Sequence, residues 1–389
     1  MEKRFVYADN AATTKVRPEV FAKMIPHYSE FYGNPSSIYS IGRNAAVVVQ
    51  NARKDVADCL NCDPNEIIFT SGGSESDNMA IRGIAKKRGS GHIITTAIEH
   101  HAVLHTVKEL EKEGFTATYL GVNQDGIISL DELKNAIRDD TILITVMYAN
   151  NEIGTIQPIK QIGEIARAHK IPFHTDAVQA AGHVHIDVKD QNIDMLSLSA
   201  HKFGGPKGTG VLYVRRGVNP KTFITGGGQE RGKRAGTENI AGIVGTAEAL
   251  KLSCMEIDAE SARLTKLRDR LIDGILENIS YTRLNGSRTE RLPSNVNVSV
   301  EFIEGESLIL LLDLNGICAS SGSACTTGSL DPSHVLLALG LKHEVAHGSL
   351  RLSLGRDTTE KDVDYILEVL PKVVDRLRAM SPVWDRKGF

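Results

Sequence analysis

The sequence predicts an α/β protein: a layered domain built on a mostly parallel sheet, followed by a smaller α+β domain. Short β-rich runs alternate with helical patterns through the middle of the chain, the signature of strands joined by helical crossovers. A long helical pattern with few breakers, over 240–279, then offers a bridge between two bodies. Beyond it, strict alternation of apolar residues marks strands of another kind. The 389 residues are enough for two or three domains at roughly 150 residues each.

The strands of the first body are expected over 67–70, 92–96, 142–147, 172–175, 195–199 and 209–214. Between two of them, 159–169 reads as a helix, with Ile159, Ile162, Ile165 and Ala166 on one face. The segment from Ser199 to Thr209 is too short for a helical crossover, so one antiparallel neighbour belongs in the sheet. In the second body, Val296, Val298 and Val300 alternate, as do Leu350, Leu352 and Leu354, and both runs predict half-buried strands. The stretches 306–314 and 360–377 read as helices, the second with a kink at Pro371. No internal repeat or low-complexity tract interrupts this order.

Composition excludes several classes of function. Hydrophobic residues make up 41% and charged residues 24%, and 45 basic against 48 acidic residues leave a net charge of −3. That balance gives no basic surplus for gripping a nucleic-acid backbone, and it excludes disorder. No apolar run approaches a membrane span; 308–312 is among the longest. The N-terminus lacks a signal-peptide core. Five cysteines are too few, and odd in number, for a disulfide scaffold. The expected setting is a reducing cytoplasm.

Three segments combine into a site. In FTSGGSESDN (69–78), a strand runs through a Gly-Gly turn into a helix opened by Ser74 and Glu75. Amide groups converging at such a junction favour an anion, a phosphate above all, although a plain helix cap explains the same residues. The spacing is neither a P-loop nor GxGxxG. In FHTDAVQAAG (173–182), Asp176 stands just past a buried strand, where open α/β sheets bind ligands; a helix cap is the equal alternative. In SLSAHKFGGPKGTG (197–210), Lys202 follows a strand with few charges near it, and desolvation there makes a neutral, nucleophilic amine accessible. Ser199 and His201 flank it, and Lys207 reads as an ordinary loop lysine. Together the segments suit pyridoxal phosphate, with its phosphate at the helix start, Asp176 on the pyridinium nitrogen and Lys202 as the Schiff-base lysine.

Other residues fall around that constellation. His100 lies beyond the 92–96 strand on the same edge, placed to stack on a planar cofactor and to shuttle a proton. His101 and His105 are i,i+4 neighbours, but no HExxH or carboxylate completes a zinc site, so no metal is expected. Cys59 and Cys62 form a lone CxxC that reads as packing, and Cys254 and Cys318 read as core. Cys325 differs, because SSGSACTTGSLDPSH surrounds it with small, polar, turn-forming residues that build no core, which hints at use in chemistry. Arg351, between inward-facing Leu350 and Leu352, points to the other face of its strand. A carboxylate clamp and a structural ion pair are both open to it.

These motifs resemble the cysteine desulfurases of the NifS/IscS type, pyridoxal-phosphate enzymes of the class-V aminotransferase family with fold type I. The resemblance runs from YADNAATT (7–14) through GNPSS (33–37), TSGGSESDN, HTDAVQ, SAHKFGGPKG and RAGTEN to SSGSAC. It implies a large cofactor domain over 14–256 with a mostly parallel seven-stranded sheet. It also implies a small domain from 1–13 and 257–389 that carries the cysteine loop. By the same resemblance, Lys202 holds the cofactor covalently, Asp176 its ring nitrogen, Gln179 its ring hydroxyl and His100 its ring face. Gly73, Ser74, Ser199 and His201 hold the phosphate, joined by Thr237 from a neighbouring subunit of a homodimer. Asn151 and Arg351, assisted by Asn34, bind the carboxylate of L-cysteine, and Cys325 takes the sulfur as a persulfide destined for a sulfur acceptor or iron–sulfur scaffold protein. Gly73-Ser74 stands where relatives often carry Ala-Thr, which keeps an N–H and a hydroxyl. An ordinary aminotransferase has no need of Cys325, and a selenocysteine lyase or a silent scaffold fits the loop and the intact site less well.

Overall fold

The structure is a computed structural model describing residues 4–321, 332–382 and 384. Its strands in chain order are β1 (Val6–Tyr7), β2 (Ile67–Thr70), β3 (His92–Thr96), β4 (Thr116–Leu120), β5 (Thr141–Thr145), β6 (Phe173–Asp176), β7 (Met195–Ser199), β8 (Gly210–Val214), β9 (Thr282–Leu284), β10 (Asn295–Val300), β11 (Ile317–Cys318) and β12 (Ser349–Ser353). Seven of them form the main sheet in the order β2-β8-β7-β6-β5-β3-β4. β8 is the expected antiparallel member and runs against both β2 and β7; the other neighbouring pairs are parallel. Apart from β4, every residue of these strands is buried, as befits a sheet covered by helices on both faces.

β4 is the strand of the main sheet that the pattern of apolar runs does not reveal, and the short β1, β9 and β11 escape it too. β4 lies at the sheet edge, with Thr116 exposed and Thr118 half-buried, so it lacks the apolar run of its neighbours. The helix Ile159–Ala168 buries Ile159, Ile162, Gly163 and Ala166 and matches the expected face closely.

Among the described residues the apolar interior falls into four clusters, of which the two largest organise the chain; the others lie around Ile68, Ile93 and Leu143 and around Ile98, Ile153 and Leu336. The larger gathers residues from Val20 to Leu250, with Leu292. The second gathers Val6 and Ala8 with residues from Leu264 to Leu377, because β1 pairs in parallel with β11 and carries the N-terminus into that core. The helix Ile240–Asn278 spans both, giving Ala241 to Leu250 to the first and Leu264 to Ile275 to the second.

β10 and β12 depart from expectation, because they are buried on both faces. Their valines and leucines face the second core, as the alternation predicts. The intervening polar residues are buried too, against the first domain: the Asn295 and Asn297 side-chain amides donate to the Glu152 carbonyl at 3.1 and 3.0 Å. Alternation betrays one apolar face; it does not say that the polar face meets protein instead of water. The last helix, Glu360–Met380, is continuous through Pro371. Among the described residues, no helix is long and apolar enough to cross a membrane.

Candidate active site

The carboxyl ends of the parallel strands place the chemistry. β2 delivers the Gly72-Gly73 turn, β3 leads to His100, β5 to Asn151, β6 ends on Asp176, and β7 ends on Ser199 before a single 3-10 turn carries Lys202. This is the edge at which open α/β sheets bind ligands.

The helix Gly73–Arg88 starts at Gly72 with no side chain capping its free amides. Gly72 has φ +155°, and a Cβ on Gly73 would lie 2.6 Å from Val178 Cγ2, so backbone and neighbours close tightly around this turn. Ser199 adjoins it, its hydroxyl 3.6 Å from a Cβ placed on Gly72. Ser74 is exposed and Ser199 buried. His201 shares a hydrogen bond with the Thr13 hydroxyl at 3.1 Å.

Asp176 is 5% exposed and accepts the Val178 N–H at 2.9 Å. Burial pushes its carboxyl up to about 6, opposed by that N–H and by the Lys202 charge. The Lys202 ammonium donates to the carbonyls of Ala11 and Ala12 at 2.6 and 2.8 Å, and Gln179 also donates to Ala11 at 2.9 Å. The segment around Ala11 and Thr13 therefore straps the lysine, the glutamine and His201 together, a part that reading strand ends alone does not reveal. The YADNAATT motif was its one signal.

His100 caps the helix His101–Lys112: its Nδ1 accepts the Ala102 N–H at 3.1 Å. Burial, helped by Lys202 and by His334 and His105, lowers the ring to about 4, so it is neutral near pH 7 with its proton on Nε2. The cap bears on the expected proton shuttle. A ring capped in this way offers a donor, and taking up a second proton would break the cap.

Arg351 is 2% exposed. Its guanidinium donates to Asp9 at 2.9 Å and to the Asn151 carbonyl at 3.0 Å, while its Nε is buried without a hydrogen-bond partner. The fork thus joins Asn151 to the N-terminal strap, with one N–H that has no partner among the described residues. Beside it, Glu152 is 4% exposed, accepts the Ser333 hydroxyl, and is pushed by burial up to about 7. Asn34 stands apart in an exposed turn, its side chain accepting the Ser36 N–H. Thr237 is likewise exposed, in a loop that Arg234 ties to Glu75 at 2.9 Å. Cys325 lies outside the described residues. Cys254 and Cys318 are half-buried instead of full core residues, and burial pushes the Cys62 thiol up to about 12, as packing residues require. Among the described residues, no group of histidines, cysteines and carboxylates is placed to hold a metal ion.

The donor set fits pyridoxal phosphate: uncapped amides for an anion, a buried carboxylate for a ring cation, and an amine held by carbonyls between them. Comparison with known proteins decides the family. The family model "Aminotransferase class-V" matches residues 6–366. The chain belongs to that family. A cysteine desulfurase IscS of Methanosarcina thermophila is 60% identical over 388 residues, covering 99% of this chain and 96% of the relative. One from Clostridium botulinum is 59% identical over 385 residues, covering 98% and 97%. A solved NifS-like protein superimposes with a TM-score of 0.91 at 38% identity, over 96% of this chain and all of that one. A structure described as SspA in complex with cysteine gives 0.79 at 41% identity, over 90% and 98%. Within the class-V aminotransferases, the chain is of the NifS/IscS type, with pyridoxal phosphate as its cofactor and fold type I as its architecture.

Proposed function

We propose that the protein is a cysteine desulfurase that converts L-cysteine to L-alanine and leaves the sulfur as a persulfide on Cys325. The supporting observation is the shared sheet edge on which Lys202, Asp176 and His100 stand, with the Arg351 fork bonded to Asn151 beyond β5, in a chain nearly 60% identical to proteins of that name. Bound pyridoxal phosphate supplies an electron sink for the carbanion at the substrate Cα. The Arg351 fork, with Asn151, grips the substrate carboxylate and orients the Cα–H bond toward Lys202. The Lys202 amine takes that proton. Asp176 holds a proton at the ring nitrogen, Gln179 meets the ring hydroxyl, and the Gly73-Ser74 amides, Ser199 and His201 hold the phosphate. The His100 Nε2–H donates to the substrate sulfur as its bond to carbon weakens. The Cys325 thiolate then forms an S–S bond to that sulfur, and the electron pair of the broken C–S bond leaves with the carbon skeleton, which is protonated to alanine.

The same reading includes a cytoplasmic homodimer. Phe21, Ile25, Tyr28, Phe31, Tyr32, Ile38 and Tyr39 are all at least 46% exposed, an apolar surface suited to a second copy. Thr237 and Asn34, both exposed, would then serve the neighbouring site, and the persulfide would pass to an iron–sulfur scaffold or other acceptor protein. Sedimentation at twice the chain mass of 42.3 kDa checks the dimer. Given L-cysteine and a thiol reductant, the purified protein is expected to release sulfide and alanine in equal amounts. Cys325→Ala should keep the cofactor absorbance and lose both products. Amino transfer dependent on a keto acid, without sulfide, would overturn the assignment.

A further inference from the structure

Behind Asp176 lies a cluster of buried groups that the reaction above leaves unused. Asp77 sits on the helix Gly73–Arg88, one turn below the phosphate cradle, and is 1% exposed. Its Oδ1 has no hydrogen-bond partner and lies 3.6 Å from His174 Nε2. His174 is wholly buried on β6, two residues before Asp176 and on the same face. Its Nε2 shares a hydrogen bond with the Ser197 hydroxyl at 3.0 Å and its Nδ1 one with Thr145 at 2.8 Å. Ser197 also bonds Asp77, and it stands opposite Asp176 in the β6–β7 ladder. On the far side, Glu99 is wholly buried; one oxygen accepts the Thr96 hydroxyl and the Met147 N–H, each at 2.8 Å, and the other has no partner.

Three carboxyls therefore share one buried region with the His174 imidazole, and among the described residues the Lys202 charge acts on Asp176. Adjacent buried carboxylates cannot all ionise, and a cation stabilises the charge of the one it faces. Burial and the Asp176 charge hold the Asp77 carboxyl well above its ordinary range, burial holds Glu99 near 8, and burial lowers His174 to about 3. If Asp77 is protonated, hydrogen-bond counting gives one direction: Asp77 donates to Ser197, Ser197 donates to His174 Nε2, and the His174 Nδ1–H donates to Thr145. If it is ionised, Ser197 donates to it and the His174 Nε2–H donates to Ser197.

We infer that Asp77 is a positioning residue: kept as a neutral acid behind the sheet edge, it confines the cluster's negative charge to Asp176, the carboxylate that faces the cofactor nitrogen. The charge opposite Asp176 rests on the pyridoxal phosphate reading; the protonation of the Asp77–Ser197–His174 chain does not.

Nitrogen NMR of the holoenzyme, labelled in its histidines, reads that chain directly. A neutral His174 protonated on Nδ1 near pH 7 is expected, in the holoenzyme and in the full chain stripped of cofactor. An imidazolium, or a neutral ring protonated on Nε2, in either would mean that Asp77 is ionised and would overturn the inference. The pH titration of the bound cofactor's absorbance reads the effect on Asp176. Asp77→Asn, an uncharged isostere that keeps a donor, should hold that midpoint within about half a unit, whereas Asp77→Ala should move it by about one unit or more. A purely structural Asp77 would lower the melting temperature of Asp77→Ala and leave the midpoint in place, which would equally defeat the inference. A protein that binds no pyridoxal phosphate, yet shows the neutral His174 tautomer, would defeat the cofactor reading alone.

Discussion

His100 carries one expectation at the scale of the single residue. With Nδ1 occupied by the Ala102 amide, the neutral ring carries its proton on Nε2, the donor that the proposed reaction uses. His100→Gln retains an N–H donor and is expected to lose about tenfold in kcat. His100→Phe, which can stack but not donate, should lose on the order of a hundredfold or more. The pH–rate profile should show no limb near the ordinary histidine value from this ring, because burial and nearby cations lower it to about 4. Equal losses in both variants, with a limb between pH 6 and 7 that disappears in each, would support the shuttle. The name of a residue type was readable from sequence here, but its tautomer was not, since that depends on a hydrogen bond to its own helix.

At the scale of the element, the turn between β2 and its helix depends on a close approach. A Cβ on Gly210, the first residue of β8, would lie 2.6 Å from both Gly72 Cα and the Leu198 carbonyl. Gly210→Ala must push β8 away from the turn that cradles the phosphate, an overpacking cost of about 1–3 kcal/mol. Cofactor affinity should fall by about five- to a hundredfold in equilibrium dialysis, with a lower melting temperature; unchanged affinity would show that the turn yields freely. The elements themselves were largely legible: β2, β3 and β7 match their apolar runs residue for residue, and the helix starting at Ile240 ends one residue before its expected limit. Legibility failed where burial and hydrophobicity part company. β4 is a threonine-bearing edge, and the polar faces of β10 and β12 are interior because a second domain covers them. Asp77, Glu99 and Glu152 escaped notice for the same reason: a carboxylate in sequence reads as solvent-facing, and only packing reveals that these three are not.

Across the whole molecule, Glu152 joins the segment after β5 to β10 and to the helix His334–Ala338. Its carbonyl takes the Asn295 and Asn297 amides of β10, and its carboxyl takes the Ser333 hydroxyl at the start of the helix His334–Ala338. Burial pushes that carboxyl from its ordinary 4.5 up to about 7, with Ser333 and the Arg351 charge opposing. Between those limits the folded protein keeps a proton that the unfolded chain has already released. The stability this group contributes is therefore full below about pH 4.5 and is lost as the pH rises toward 7. Glu152→Gln preserves the acceptor for Ser333 and has no proton to lose. Its unfolding free energy should match the wild type near pH 4, exceed it increasingly above that, and level off beyond pH 7 at a gain of no more than about 3 kcal/mol. Denaturant titrations of both proteins across this range test the sign as well as the size. Parallel curves would mean that Glu152 is ionised in the fold and that Arg351 balances its charge, leaving the fork bound to a carboxylate of its own before any substrate arrives. A diverging pair would mean that the junction is closed by a neutral acid, so that the Arg351 fork keeps its charge for Asp9 and for the substrate carboxylate that must compete with it.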